Sequence, residues 1–431
     1  MSADRRSVLI IGSGVAALMA AVALARRLPG VEVARLETGV TDPVEDAFGA
    51  CRPSIRTFHA AVGIEEADVL SRTRASFRLG TLLSGWSGGG QFFRGHGLYG
   101  EPLSGVAFHH LWLRAQEGGA VEPYESFYLA CRGMHLDPLL YRQALRQLGR
   151  AAGVREIDGS VAGVERTEDG CYIRALKLTD GRSIVADSFV DAGGRAATVR
   201  RALSSQWIDW SAALLVDRLR LPCSPAPALY DHLIASPSGW QLANAIGYSS
   251  AFQSDDASGT VTFRQGRLVD PWSGNCVAIG GAALCLEPSA ATGLHAVCRQ
   301  IERLIDCWPG HDSRATATEI GCFNRRTALE SDRMRDFVQL PYLLNERPEP
   351  FWRAAAAGAV SDELARDIAL FRERGRLVTH DEDGFERDEW IATFIGLGVR
   401  PHRTDALAAE IPIARIQQHL ASIKAGLCNE I

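Results

Sequence analysis

Lysine is almost absent from this sequence, and its cysteines lack the spacing of a metal site. Only Lys177 and Lys424 are lysines among the 46 basic residues, so nearly every positive charge is an arginine. The ten cysteines include no C-x-x-C pair, which favours reduced cytosolic thiols and argues against structural zinc. We therefore expect no metal and a cytoplasmic location.

The sequence also lacks charge blocks, internal repeats and low-complexity tails. Its net charge of −5 and pI of about 6.1 argue against nucleic acid or an anionic membrane as a partner. The 431 residues are 46% hydrophobic, which is typical of a globular protein that buries a large core.

Only one apolar run has the length of a leader or membrane anchor. Residues 8–25 follow Arg5 and Arg6 and end in Ala-Leu-Ala, which resembles a cleavage site. Two glycines interrupt the run, and Arg26 and Arg27 follow it directly. We therefore expect these residues to be folded rather than to form a leader or a membrane span.

The same run begins a predicted βαβ unit. Residues 8–11 form an apolar strand, the turn Gly12-Ser13-Gly14-Val15-Ala16-Ala17 leads into a helix, and a second strand ends at Glu37. Gly12 permits the tight turn, Gly14 lets the backbone approach a pyrophosphate, and Ala17 takes the third glycine's place. Glu37 is placed to bind a ribose hydroxyl. The pattern predicts a dinucleotide site with Gly12, Gly14, Val15, Ala16, Ala17 and Glu37 as contacts.

Two further glycine-bearing corners follow predicted strands, at Asp191-Ala192-Gly193-Gly194 and at Gly280-Gly281-Ala282. Ligands of open α/β sheets bind outside the carboxyl ends of the strands. Three such corners favour one long cofactor, and FAD fits better than NAD because a flavin needs a third contact region. Asp191, Gly193 and Gly281 are the candidate contacts, although both corners are also explained as plain strand-to-helix turns.

Periodicity and turn residues predict the remaining elements. Residues 74–83 are compatible with either a helix or a strand, and residues 85–97 combine glycines and aromatic rings in a loop suited to a planar ligand. Helices are expected over 54–60, 65–71, 137–152, 294–308, 320–338, 351–374 and 413–427. Strands are expected over 156–164, 171–178, 183–191, 216–221, 239–246, 248–252, 260–263 and 275–280.

The predicted nucleotide-binding segments alternate with other segments, so the domains are interleaved. Cofactor-binding segments are expected at 1–80, 137–200 and 273–310, and substrate-region segments at 81–136 and 201–272. A helical region covers 311–431.

Several short segments carry a family resemblance. They are residues 108–114, 207–211, 249–256 and 275–280, the run Leu286-Glu287-Pro288 with Thr292, Gly293 and His295, Arg335-Asp336-Phe337 and Phe351-Trp352. Together they resemble the flavin-dependent tryptophan halogenase family nearly end to end. The resemblance implies an α/β, glutathione-reductase-like FAD-binding fold with an interleaved β-rich substrate region and a helical C-terminal part. It also implies that a separate reductase supplies reduced flavin.

The sequence departs from the family where the family's chemistry resides. Arg78 occupies the position of the lysine that carries the activated halogen, and Ala290 that of an acid near the substrate. An arginine does not deprotonate in a protein, so Arg78 cannot form a haloamine as lysine does. Only Gly239-Trp240 survives of the family's Gly-Trp-x-Trp-x-Ile-Pro signature. In the family, a short segment called the strap lies near the flavin. Residues 49–53 stand in its place here with a different sequence, and Arg52 is a candidate cofactor contact.

Three functions remain open on these residues. The first, which we favour, is a monooxygenase-type oxidation of an aromatic or peptidyl substrate by a flavin hydroperoxide. The second is halogenation with Arg78 in place of lysine, in which the amides of Thr292 and Gly293 receive halide or the flavin ring. The third is a non-catalytic flavin-binding or partner-binding protein.

The candidate catalytic residues are Arg78, His96 and His109, because the two imidazoles are able to move protons near the flavin. A hydrogen-bonded structural role is the alternative for both histidines. The expected partners are a small-molecule or peptide substrate and a flavin reductase, and a homodimer remains open.

Overall fold

The computed structural model describes residues 6–87, 90–204, 206–253, 258–310, 314–403 and 405–429. Two residues of the glycine-rich loop (88–89) and part of the resembling segment 249–256 (254–256) lie outside the described residues. The strands are β1 Arg6–Ile11, β2 Val31–Glu37, β3 Ala50–Cys51, β4 Ser76–Arg78, β5 Gly80–Ser84, β6 Gln91–Gly95, β7 Gly133–His135, β8 Arg155–Asp158, β9 Val161–Arg166, β10 Ile173–Leu178, β11 Ser183–Ile184, β12 Ser188–Asp191, β13 Trp207–Asp209, β14 Arg218–Cys223, β15 Asp231–Ser236, β16 Gly239–Asn244, β17 Gly247–Phe252, β18 Val261–Thr262, β19 Gly266–Leu268, β20 Trp272–Ser273, β21 Cys276–Ala278 and β22 Leu284–Cys285. The α-helices are α1 Val15–Arg27, α2 Pro43–Asp46, α3 Ser54–Ala61, α4 Glu66–Arg72, α5 Phe108–Glu117, α6 Pro138–Ala151, α7 Thr292–Asp306, α8 Ala317–Leu343, α9 Pro350–Ala356, α10 Asp362–Arg374, α11 Arg387–Gly396, α12 Ala406–Ala409 and α13 Ile413–Asn429.

A central sheet carries the predicted βαβ unit. Its strand order is β20-β21-β12-β1-β2-β8, and all neighbours pair in parallel except β20 and β21. Ile11 pairs with Asp191, and Asp191 pairs with Ala278, so three strands end side by side at one edge. Helix α1 covers this sheet and is buried from Val15 to Leu24, which explains why residues 8–25 are so uniformly apolar.

A second sheet of seven strands has the order β18-β14-β17-β16-β15-β5-β6. Its neighbours run antiparallel except β15 and β5, which are parallel. Helices α8, α9 and α11 contribute to the same core as this sheet, and their fully buried tryptophans are Trp352 and Trp390, beside Trp86 and Trp240. Parallel and antiparallel sheets are thus combined with helices, which confirms the α/β class.

Some predicted elements are divided in the structure. The expected strand 156–164 is two strands, because β8 joins the central sheet and β9 a small three-stranded sheet. The expected strand 183–191 divides in the same way into β11 and β12. The expected helix 351–374 is α9 and α10, and Ser361 caps α10 by accepting a hydrogen bond from Leu364 N at 3.1 Å. Local periodicity does not show where a chain passes from one sheet to another, which is why these boundaries were wrong.

Other expectations agree with the described structure. Asp137 caps α6 by accepting from the amides of Leu139 and Leu140, and Gly153 follows the helix with a positive φ of 86°. Residues 74–83, left open between helix and strand, contribute to β4 and β5. Among the described helices, none is both long enough and apolar enough to cross a bilayer.

We predict that Gly12→Ala lowers the free energy of unfolding by about 1–3 kcal/mol, measured by urea denaturation. Gly12 has a φ of 140°, and an added Cβ would lie 2.3 Å from the carbonyl oxygen of Ala192. Gly163→Ala in β9 is the matched control, because no atom lies within 4 Å of its added Cβ. Equal loss of stability in both variants would contradict a tight contact at the first corner.

Candidate functional site

The three glycine-bearing corners meet at the carboxyl edge of the central sheet. A Cβ on Gly280 would lie 2.8 Å from Ala16 Cβ, and a Cβ on Gly281 would lie 3.3 Å from Gly194 Cα. The corner at Gly12 contacts Ala192 in the same way. The backbones of the three corners therefore lie against one another, although the strands that lead to them are far apart along the chain.

Each of the three corners provides a backbone amide that donates a hydrogen bond. Each amide donates to a carboxylate of one short segment, residues 42–46, which we call the acidic segment. The hydrogen bonds are Val15 N to Asp46 Oδ1 at 2.7 Å, Gly281 N to Glu45 Oε2 at 3.0 Å and Arg195 N to Asp42 Oδ2 at 2.7 Å. The donors form a cradle suited to anions, and the carboxylates of the acidic segment occupy it.

Two predicted cofactor contacts have other partners in the structure. Asp191 is buried, and its carboxylate accepts from the amides of Gly193, Val199 and Arg200, which fixes the loop after β12. Burial raises the pKa of Asp191 above its ordinary value. Glu37 is ion-paired with Arg35 at 2.8 Å and with Arg146. A ribose at Glu37 would therefore share the carboxylate with two guanidinium groups.

A cavity of about 40 Å³, which we call cavity B, remains between the second and third corners. It is lined by Arg195, Gly281, Thr292 and Gly293 together with Asp42 and Glu45 of the acidic segment. Thr292 and Gly293 begin α7, whose N-terminus has no side-chain cap. The two residues predicted to bind halide or flavin thus border the same cavity as Asp42, Glu45 and Gly281 of the cradle.

A larger cavity of about 470 Å³, cavity A, lies on the other side of α7. Helix α7 contributes Thr292, Gly293 and Ala296 to cavity B, and His295, Arg299 and Glu302 to cavity A. The spacing of each set places it on one face of the helix. One helix therefore separates the cofactor cradle from a cavity of the size that small-molecule sites have.

Most of the residues that line cavity A are polar or charged. Arg52 lies with its guanidinium carbon 4.2 Å from the centre of the Phe385 ring, and its Nε has no hydrogen-bond partner within the described part of the chain. His295 Nδ1 is 2.7 Å from Ser54 Oγ, and burial lowers the pKa of His295 to about 4. Both groups are buried, so cavity A offers a cation and a neutral imidazole to a ligand.

A chain of buried charged groups begins at this cavity. Arg52 is ion-paired with Glu389, and Glu389 accepts from His96 Nδ1 at 2.8 Å. His96 Nε2 accepts from Arg78, which is ion-paired with Asp231 at 2.6 Å. The chain ends at His135, whose Nε2 lies 2.9 Å from Asp231 Oδ1. These six residues, which we call the buried charge chain, are all at most 5% exposed.

The charged groups of the buried charge chain determine the protonation states of its six residues. Burial alone would raise the pKa of Asp231, but the charge of Arg78 and the hydrogen bond from His135 hold it well below its ordinary value. Arg52 and His96 hold the pKa of Glu389 well below its ordinary value in the same way, against the effect of burial. Burial and then the charge of Arg78 lower the pKa of His96 to about 3, so its imidazole is neutral at pH 7.

The structure places the three candidate catalytic residues differently. All three guanidinium nitrogens of Arg78 are hydrogen-bonded, to Asp231, His96 and Thr81, and its exposure is 0%. His96 lines cavity A, whereas Arg78 and His109 are not among the described residues that line it. His109 Nε2 instead lies 2.8 Å from the carbonyl oxygen of Gly375. The structure therefore brings Arg78 and His96 together and leaves His109 in a hydrogen-bonded position beside His110.

Sequence reasoning missed three members of the site: Glu389, Asp231 and His295. Glu389 lies 337 residues from its partner Arg52, so no local spacing joins them. His295 appeared only within a resembling motif, and its place on the cavity side of α7 depends on tertiary packing. The only sequence signal for His295 is its helical spacing from Thr292 and Gly293, which places it on a different face of α7.

Comparisons with known proteins agree on one family. A sequence profile described as Tryptophan halogenase matches residues 7–134 and 132–412. Tryptophan 7-halogenase RebH from Lentzea aerocolonigenes is 26% identical over 449 residues, covering 86% of this chain and 83% of RebH. Among solved structures, BrvH, a flavin-dependent halogenase from Brevundimonas sp. BAL3, is 30% identical, with a TM-score of 0.90 and coverage of 98% and 96%. Xcc4156, a flavin-dependent halogenase from Xanthomonas campestris, is 26% identical, with a TM-score of 0.91 and coverage of 99% and 95%.

We predict that Asp231→Asn lowers the free energy of unfolding by about 3–5 kcal/mol at pH 7, because it leaves Arg78 charged and unpaired in the core. The control is Asp209→Asn, whose partner Arg264 is 67% exposed and whose loss costs at most about 1 kcal/mol. Urea denaturation of both variants measures the difference.

The same pair gives a pH dependence. Because the pKa of Asp231 is lower in the folded state than its ordinary value of 3.8, its stabilising effect is complete above about pH 4 and is lost as the pH falls further. We therefore expect the stability difference between wild type and Asp231→Asn to shrink below pH 4. A difference that stays constant in acid would contradict the ion pair.

Proposed function

This chain belongs to the tryptophan halogenase family, and on that premise we propose that it is an FAD-dependent oxidoreductase that oxidises an organic substrate without a lysine-bound halogen. A separate reductase supplies the reduced flavin. Reduced FAD supplies the electrons that activate molecular oxygen. The remaining steps concern binding, positioning and proton handling by this chain's own residues.

The donors at the three corners fit the anionic part of FAD. The amides of Val15, Gly281 and Arg195 already bind carboxylate oxygens, so they are suited to the diphosphate oxygens of the cofactor. Gly12 and Gly14 permit the close backbone approach, and Thr292 and Gly293 would lie beside the flavin end. Binding of FAD requires the acidic segment to leave the cradle.

The single observation that carries the proposal is the state of Arg78. Its guanidinium is buried and paired with Asp231, and each of its three nitrogens makes a hydrogen bond, so the group is not exposed to a substrate or an oxidant. The two lysines do not replace it: Lys177 is 53% exposed and paired with Glu165, and Lys424 is paired with Glu122. Among the described residues, neither lysine lines cavity A, so neither is placed to carry a halogen as the family's lysine does.

Cavity A is the proposed substrate site. Its volume of about 470 Å³ accommodates an aromatic or peptidyl substrate, and its charged wall favours one with polar groups. Arg52 lines this cavity, and its positive charge would attract an oxygen of the substrate. His295 is neutral at pH 7 and is the imidazole placed to exchange a proton with the substrate, because Ser54 fixes its other nitrogen.

Halogenation is the second candidate, favoured by the stated activity of BrvH at 30% identity over 98% of this chain. It would need a cation other than Arg78. Arg52 is a described cation that lines cavity A with an unpartnered nitrogen, so it is the residue on which this alternative depends.

We predict that the purified protein binds FAD but does not brominate or chlorinate indole efficiently. The assay supplies FAD, a flavin reductase with NADH, oxygen and bromide or chloride, and mass spectrometry detects halogenated products by their isotope pattern. Robust halogenation at one ring position would refute the proposal and select the second candidate.

Rapid-mixing kinetics distinguish a flavin-dependent enzyme from a non-catalytic flavin-binding protein. Protein loaded with reduced FAD is mixed with oxygen, and flavin absorbance is followed with and without candidate aromatic substrates. For an enzyme we expect at least one substrate to accelerate the return of oxidised flavin. Reoxidation that no substrate alters would favour a non-catalytic protein.

We predict that Arg78→Lys does not create halogenase activity and lowers the free energy of unfolding by about 1–3 kcal/mol. A lysine has three donors on a single nitrogen, so it cannot reproduce the four hydrogen bonds that the three nitrogens of Arg78 make. The ammonium group of the lysine would stay paired with Asp231. Arg264→Lys at an exposed pair is the control for the chemical change. Regioselective halogenation by Arg78→Lys would show that the residue at position 78 reaches the oxidant.

A further inference from the structure

We propose that the acidic segment, Asp42–Asp46, is an internal ligand that competes with the cofactor diphosphate for the cradle and so controls the loading of FAD. The inference rests on the proposed function, since it concerns the same cofactor site. It adds a regulatory contact within the chain to a site that otherwise only binds cofactor.

Each carboxylate of the segment occupies a different corner. Asp46 accepts from Val15 N at the start of α1 and from its own segment's Asp42 N at 3.0 Å. Glu45 accepts from Gly281 N, and Asp42 accepts from Arg195 N and from Arg195 Nε at 2.9 Å. Helix α2 holds the three side chains in this arrangement, and its first turn is capped by Asp42 through Val44 N.

The segment leaves no room for a second anion. A Cβ on Gly14 would lie 2.6 Å from Asp46 Oδ2, and one on Gly280 would lie 2.3 Å from Glu45 Oε1. The remaining space, cavity B, is about 40 Å³, which is close to the volume of one water molecule. A diphosphate and the acidic segment therefore exclude each other.

The arrangement is electrostatically unfavourable when all three carboxylates are charged. Glu45 Oε1 is buried without a hydrogen-bond partner among the described atoms. Burial, then the charges of Asp46 and Asp42, raise the pKa of Glu45 well above its ordinary value. Burial also raises the pKa of Asp46.

Few cations face these groups from the surrounding elements. Arg195 pairs with Asp42 at 2.9 Å, and Arg142 of α6 is 3.9 Å from Asp46. The other groups around Glu45 are Gln300 of α7, which binds Gly280 N, and the thiol of Cys285. Two arginines thus face three carboxylates. We call the arrangement with the acidic segment in the cradle the closed state, and the arrangement with the segment outside it the open state. The closed state is favoured when Glu45 is protonated.

The surroundings allow the segment to move. Gly39 precedes it with a φ of 72° and with no atom within 4 Å of its added Cβ, and Val40 is 68% exposed. On its outer side lies a cavity of about 530 Å³, cavity C, lined by Pro43, Asp46 and Ala47. The segment therefore follows an uncrowded, exposed stretch of chain and borders a space that it could enter when it leaves the cradle.

The sign of the pH dependence follows from the raised pKa. The closed state binds a proton on Glu45 that the open, hydrated segment releases at neutral pH. Raising the pH therefore favours opening, and FAD binds more tightly at pH 8 than at pH 5.5. The diphosphate itself keeps its charge across this range, so the dependence originates in the segment.

The experiment measures FAD affinity of the full-length protein by calorimetry between pH 5.5 and 8. We expect Glu45→Ala to bind FAD at least about tenfold more tightly than wild type at pH 6, with little pH dependence. Glu45→Gln keeps an acceptor for Gly281 N without a charge, so it should bind FAD weakly at every pH. Glu168→Ala, at an exposed position, controls for the loss of one negative charge and should match wild type.

A second readout needs no flavin. Hydrogen exchange of the Val15 and Gly281 amides should be faster in Glu45→Ala than in wild type, and inorganic pyrophosphate should slow it again. Unchanged exchange together with unchanged or weaker FAD binding by Glu45→Ala overturns the inference. A third outcome is that amide hydrogen exchange changes as expected but neither wild type nor any variant binds FAD. That outcome would contradict the proposed FAD-dependent function and would still support competition between the acidic segment and an anion for the cradle.

Discussion

The buried pair of Arg78 and Asp231 sets the limits of what this site does. A guanidinium enclosed in the core must be neutralised and hydrogen-bonded on every side, because an unpaired buried charge is too costly to keep. Once Asp231, His96 and Thr81 meet that requirement, each of the three nitrogens of Arg78 is engaged in a hydrogen bond and none of the side chain is exposed. An arginine at this position therefore contributes to stability, and the reacting groups must be sought on the cavity side of the buried charge chain.

The βαβ unit could be predicted from sequence because its signals are local. Gly12 and Gly14 lie between a β-branched run and an apolar helix, and each residue's role follows from its immediate neighbours. The meeting of the three corners was also predictable, since parallel strands end at a common edge. The division of the strands at 156–164 and 183–191 was not, because leaving one sheet for another is decided by distant partners.

The buried charge chain and the acidic segment were the least predictable parts of the structure, because their contacts also depend on residues that are distant along the chain. Glu389 contacts Arg52 and His96 only after α11 packs beside β6, and nothing near residue 389 marks it as more than a helix N-terminal acid. No helix or strand was predicted for residues 42–46, and nothing in the sequence indicated that their carboxylates would enter the cradle. Acidic residues in a loop usually face solvent, so only the tertiary structure assigns them to the amides of Val15 and Gly281.

Helix α7 has a consequence for how the protein is able to diversify. Its two faces border different cavities, so changes at 295, 299 and 302 reshape one chamber without touching the groups at 292, 293 and 296 that border the other. On the proposed assignment of cavity A to the substrate, new substrate preferences are therefore accessible to evolution or engineering through three positions on one side of a single helix, while the residues that border the cradle stay unchanged.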